Sequence, residues 1–148
     1  MEVVLLGTGS PIPDANRAGP ATLLKIGELE HLLVDTGRGC VMRMAGAGSL
    51  PGFLSGVLIT HLHSDHLTDL NDIITTHWIM TPGPTPLRIW GPPGIAHYVE
   101  HILEALRPDI GYRIAHHDDL TWEPDVQVTE VRPGDTFEVG SASVSVHE

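Results

Sequence analysis

Six consecutive residues, His61-Leu62-His63-Ser64-Asp65-His66, bring together three imidazoles and a carboxylate. These groups are ligands for zinc, and also for manganese or iron. The run before them, Gly56-Val57-Leu58-Ile59, is apolar and reads as a buried strand continuing to Thr60. After them, Leu67, Leu70, Ile73, Ile74 and Trp78 recur at three- and four-residue spacings, which predicts a helix to about Met80. Pro82, Pro84 and Pro86 end it. The cluster therefore lies where a strand hands over to a helix, the place where open α/β folds gather their sites. In extended backbone, His61 and His63 project to the same side and can hold one ion. Asp65 and His66, adjacent at the helix start, can reach a second ion nearby. Two such ions would bridge a hydroxide and clamp the attacking and leaving oxygens of a phosphoryl centre. The plainer reading is a helix capped by Ser64 or Asp65 with incidental histidines. It leaves unexplained why the spacing satisfies two ligand geometries at once.

The remaining histidines carry less. His77 lies on the helix beside Trp78. His97 and His101 form an i, i+4 pair with no obvious third ligand, which favours plain helix surface. His116-His117-Asp118-Asp119 reads as a solvated loop. His147 shares a strand face with Ser143 and Ser145.

The elements that would carry the cluster follow from the pattern. Glu2–Leu6 reads as a first strand, ending in the turn Gly7-Thr8-Gly9-Ser10-Pro11. That turn lacks both a dinucleotide fingerprint and a P-loop lysine, so it is read as backbone geometry. Ala21–Ile26 and His31–Val34 are strands joined by a hairpin at Gly27-Glu28. Asp35-Thr36-Gly37-Arg38-Gly39 follows, placing an aspartate at a strand end. Cys40–Ala47 predicts a short helix stopped by Gly46 and Gly48. Leu87–Trp90 is a further strand, Gly91-Pro92-Pro93-Gly94 opens a helix to about Leu106, and Tyr112–Ala115 is expected to be extended. Val126–Val131 alternates as a half-buried strand, and Phe137–Val139 with Ala142–Val146 form a closing hairpin. The class is mixed α/β, in a single domain over residues 1–148.

Composition narrows the function classes. Apolar content of 41% is that of a folded chain. Met1–Leu6 is too short for a signal peptide, no stretch is long enough to span a membrane, and the one cysteine, Cys40, rules out an internal disulfide. A cytoplasmic protein with no membrane partner is expected. The net charge of −11 repels polyanions, so a nucleic-acid substrate requires local compensation from metal or from Arg17, Arg38 and Arg43.

His61-x-His63-x-Asp65-His66 resembles the signature of the metallo-β-lactamase fold superfamily. Leu6-Gly7-Thr8-Gly9-Ser10-Pro11, Leu33-Val34-Asp35-Thr36-Gly37 and Trp90-Gly91-Pro92-Pro93-Gly94 make the ribonuclease Z-like branch, the transfer-RNA 3′-processing endonucleases, the nearer match. The resemblance covers essentially the whole chain. It implies an αββα sandwich of which this chain is the first half, a sheet with flanking helices. It implies zinc on His61 and His63, a second zinc on Asp65 and His66, a proton-handling role for Asp65, and Asp35 orienting a ligand histidine. It implies hydrolysis of a phosphodiester in precursor tRNA through a metal-bridged hydroxide. Arylsulfatase-, cyclic-nucleotide phosphodiesterase- or lactonase-like hydrolysis of a small ester is the alternative, and a non-catalytic half-domain the third possibility. The ligands the family places later in its second half have no match here. An open apolar sheet face would then favour a homodimer or other self-association.

Overall fold

A computed structural model describes Met1–Glu148. Six strands form one sheet in sequence order: β1 (Glu2–Gly7), β2 (Ala21–Lys25), β3 (His31–Val34), β4 (Leu54–Leu58), β5 (Leu87–Gly91) and β6 (Val126–Glu130). β1, β2 and β3 are antiparallel; a short turn joins β2 to β3, and the longer loop over residues 8–20 joins β1 to β2. β3 to β6 run parallel, because α1 (Cys40–Gly46), α2 (Ser64–Leu67) with α3 (Leu70–Met80), and α4 (Ile95–His116) supply the crossovers. A separate hairpin, β7 (Thr136–Val139) and β8 (Ala142–Ser145), closes the chain.

The two faces of the sheet are covered differently. Helices cover one face, where Leu23, Leu33, Val57, Leu70, Ile73, Ile74, Ile89 and Ile95 are almost wholly buried. Each such side chain contributes roughly 1.5–3 kcal/mol by leaving water. On the other face the hairpin packs Phe137 and Val139 against Leu32 and Trp90, with the Trp90 and Phe137 rings stacked 5.2 Å apart. Gly56 is required there, since a Cβ would stand 2.5 Å from the Trp90 ring and 2.9 Å from Val139. The Ser141 N–H donates to the Glu30 carboxylate and pins the hairpin tip to the β2–β3 turn. The open sheet face expected from the sequence is thus partly covered. A groove of about 410 Å³ remains between Leu58, Trp90, Phe137 and Val144, with Thr60 and His147 also in its lining.

Three elements differ from their sequence reading. The one helix expected from the ligand cluster to Met80 is broken at Thr68-Asp69 into α2 and α3, where the Asp69 N–H is taken by the Thr36 carbonyl. The strand expected over Gly56–Thr60 ends at Leu58, because the Thr60 N–H is taken by the Asp35 carboxylate rather than by a neighbouring strand. Tyr112–Ala115 is not extended but belongs to α4, which runs on through Pro108 and Gly111 to His116. Proline inside a helix costs about 3 kcal/mol. Ile102, Leu103 and Leu106, packed on the core just before it, offset that cost, and the Arg113–Asp109 ion pair at 2.8 Å bridges the following turn. Beyond α4, Trp78 Nε1 donates to the Trp122 carbonyl at 2.9 Å.

Three polar groups are buried without a structural partner of opposite charge. Cys40 is fully buried, and that burial pushes its thiol far up, so it is an inert hydrophobe. His31 sits 2.7 Å from Ser49 Oγ; burial, then the Lys25 charge, lowers its pKa. His77 is lowered by burial alone, and its Nε2 has no hydrogen-bond partner. Both rings are held neutral in the fold, whereas unfolded histidine titrates near ~6.5. Below that pH the unfolded chain takes up protons that the folded rings resist. Stability is therefore complete above ~6.5 and is lost as pH falls toward the lowered folded values. Urea midpoints should drop between pH 7.5 and pH 5.5, both chosen to bracket ~6.5. His77→Leu should stabilise more at the acidic end than at the neutral one. An equal effect at both would show that His77 is not held neutral.

Candidate metal centre

The loop after β4 holds the candidate ligands in place by hydrogen bonds that converge on Asp35. Asp35 directly follows β3, is almost fully buried, and has a left-handed backbone at φ 60. That conformation is uncommon outside glycine, though aspartate tolerates it better than most. Its Oδ1 accepts the Thr60 N–H at 2.8 Å, and Thr60 Oγ1 donates to the same carboxylate at 2.8 Å from Oδ2. Oδ2 also accepts from His66 Nδ1 at 2.7 Å.

This arrangement assigns two tautomers. A carboxylate only accepts, so His66 carries its proton on Nδ1 and presents the bare Nε2. Thr60 spends its hydroxyl proton on Asp35, so the same oxygen accepts from His61 Nδ1 at 3.0 Å. His61 then also presents a bare Nε2. That atom lies 3.0 Å from His63 Nδ1, close to the roughly 3.3 Å between two ligands of one tetrahedral zinc. The His66 ring packs against His61 with centroids 4.0 Å apart, and His66 Nε2 is 3.9 Å from Asp65 Oδ2. The four side chains thus form two adjacent pairs, His61 with His63 and Asp65 with His66. No three of them draw their ligand atoms within 4.8 Å of one another. The donor set fits metal: two imidazoles whose Nε2 is left unprotonated, a third imidazole, and a carboxylate whose side chain is 11% exposed.

Backbone bonds lock the pairs to the β3–α1 turn. The Thr36 N–H donates to the His66 carbonyl, and the Asp69 N–H to the Thr36 carbonyl, each at 2.8 Å. Asp69 Oδ2 accepts from the Gly39 N–H at 2.7 Å, at the start of α1. Burial raises the Asp69 pKa while bonds from the Gly39, Cys40 and Val41 N–H groups oppose the rise. Gly37 passes so close to Gly19 and Pro20 that a Cβ would stand 2.5 Å from their backbone atoms. Thr60 and Asp69 are positioning groups that the sequence did not single out. Their partners are 25 and 30 residues away, so no local pattern announces them.

The other histidines do not join this centre. His77 is buried under α3, His116 ends α4, His117 to Asp119 form the turn after it, and His147 borders the groove.

A family model described as the beta-lactamase superfamily domain matches residues 30–148. The chain belongs to this beta-lactamase superfamily. Within it, the chain is 52% identical over 148 residues to a protein named ribonuclease Z from Mycolicibacterium gilvum, covering 99% of the chain and 51% of that protein. It is 53% identical over 148 residues to one of the same name from Mycolicibacterium paratuberculosis, covering 99% and 52%. Among solved structures, the short form of human tRNase Z superposes with a TM-score of 0.70 at 26% identity, covering 88% of this chain and 45% of that one. The chain spans about half the length of the curated relatives it matches. The expected fold, a metallo-β-lactamase-like α/β sheet with flanking helices equal to about half of the family's full arrangement, is what the structure has.

Proposed function

We propose that this chain supplies the metal-binding half of a ribonuclease Z-like phosphodiesterase that trims the 3′ end of precursor tRNA in the cytoplasm. The observation that carries this reading is the 52% identity sustained over 99% of the chain to a protein named ribonuclease Z. In this reading His61 and His63 hold one zinc, and Asp65 and His66 hold a second, with manganese or iron as substitutes. Bound there, two ions would polarise the phosphoryl oxygens and supply a nucleophile at neutral pH. The chain's own groups do the positioning. Asp35 fixes His66 directly and His61 through Thr60, so both rings offer Nε2 without rearrangement. Asp65, half-buried beside His66 Nε2, is the group placed to hold or move a proton. Four ligands on this chain leave the remaining positions to a second segment or a second copy. The apolar groove beside Thr60 is surface that such a partner would cover.

One observation favours a smaller ester. A net charge of −11 repels RNA unless the completing half is basic. The test is complementation. The 148-residue chain, mixed with the C-terminal half of the Mycolicibacterium gilvum relative and zinc, should release the trailer of a precursor tRNA and leave a 3′-hydroxyl. Turnover of an aryl sulfate, a cyclic nucleotide or a lactone with no tRNA cleavage would replace this reading by the small-ester one.

A further inference from the structure

The only three side chains of metal-ligating type whose donor atoms all lie within 4.8 Å of one another are not in the loop after β4. They are His97, Glu100 and His101 on α4. Helical periodicity explains the grouping. Ile95 and Val99 are buried and Ile102 packs on the core, so positions 97, 100 and 101 fall on the opposite, exposed side. The two imidazoles lie with centroids 4.2 Å apart and planes tilted by 59°. His101 Nδ1 is 2.9 Å from the His97 carbonyl oxygen. A carbonyl cannot donate, so Nδ1 carries the proton and Nε2 is left as a lone pair facing outward. This is how metal-binding histidines are commonly oriented, with the second ring nitrogen tied to a backbone carbonyl. Glu100 supplies the third donor and a negative charge that offsets a cation. Two histidines four apart on one helical face are a known zinc-binding spacing.

We propose that His97, Glu100 and His101 form a second metal site, taking one borderline divalent transition ion, with water completing its shell. Three protein ligands and an open fourth position suit zinc, and nickel or copper by the general order of affinities. Exposed on all three residues, the site is open to solvent and exchanges its ion freely. Its effect falls on the first two turns of α4, the helix that must continue through Pro108: an ion bridging residues 97 and 101 exists only when that turn is helical, so binding stabilises it. The site is independent of the proposed hydrolase reading and of its ligands.

The test is a calorimetric titration of the tag-free full chain with Ni²⁺, run beside three variants. His97→Ala/His101→Ala should lose one equivalent relative to the parent chain, and His61→Ala/His63→Ala should keep it. Glu100→Gln, which preserves shape and helix, should weaken that equivalent at least ~10-fold, the smallest loss usual for a disturbed metal shell. Of the substituted positions His63, His97, Glu100 and His101 are exposed, and circular dichroism is the check that each variant folds. An equivalent that survives His97→Ala/His101→Ala, or that disappears with His61 and His63 instead, overturns the proposal. So does the absence of any such equivalent in the parent chain.

Discussion

His61→Ala and His63→Ala should each reduce zinc affinity at the loop after β4 by more than ~100-fold, and activity in the complemented assembly by at least as much. Disturbing a partner that merely orients a ligand costs ~10–100-fold, and removing the ligand itself costs more. The two nitrogens concerned stand 3.0 Å apart, so each variant leaves the other imidazole alone on its ion. The fold should survive. His63 is exposed, His61 is partly so, and neither belongs to the core cluster. Competition with a chromophoric chelator, made in a His97→Ala/His101→Ala background to remove the α4 site, gives the affinity. Zinc bound as tightly by either variant as by the parent would mean these imidazoles are not ligands.

Asp35 should be the position where stability and metal binding separate. Asp35→Ala leaves the Thr60 N–H and hydroxyl without their acceptor, and releases His66 Nδ1, all at a nearly buried site. Unsatisfied buried donors cost roughly 1–3 kcal/mol each, so a loss of about 2–5 kcal/mol is expected for the variant. Asp35→Asn behaves differently. Asparagine tolerates the left-handed backbone at φ 60 and its carbonyl still accepts from Thr60. Its amide, however, presents a donor to His66 Nδ1. The ring must then move its proton to Nε2 or turn away, and either removes the lone pair aimed at the metal. Only about 1–2 kcal/mol of stability should be lost, against a fall in zinc affinity of ~10–100-fold. Urea unfolding and a zinc titration on the two variants check this. An asparagine variant with parent-like affinity would show that Asp35 acts on the fold alone.

Much of the site was readable because it is local. His61 to His66 occupy one short stretch, and the spacing carries its own geometry. The strand pairings followed from apolar runs and from hairpin-length connections, as in β2 and β3. What was not readable depends on distant partners. Thr60 leaves the strand because a carboxylate 25 positions earlier takes its N–H. Asp69 supports the start of α1 from the turn between α2 and α3, and in sequence it is indistinguishable from a surface aspartate. The stretch Tyr112–Ala115 departs from its sequence pattern for the opposite reason. Pro108 and Gly111 are strong local signals against helix, and the packing of Ile102, Leu103 and Leu106 outweighs them. Glu100 was passed over as a ligand because a glutamate on an exposed helical face is ordinary. Only the bond from His101 to the His97 carbonyl shows that one neighbouring lone pair, on His101 Nε2, is already set.

The central claim is that the chain brings a preset half of a two-metal centre in the loop after β4 and on α2, with Asp35 setting its tautomers. Zinc K-edge absorption on the tag-free chain, again with His97→Ala/His101→Ala in place, tests it most directly. The claim predicts imidazole nitrogens at ~2.0–2.1 Å in the zinc shell, lost when His61 and His63 become alanine. A shell without imidazole, or one that the His61→Ala/His63→Ala substitutions leave unchanged, would contradict it.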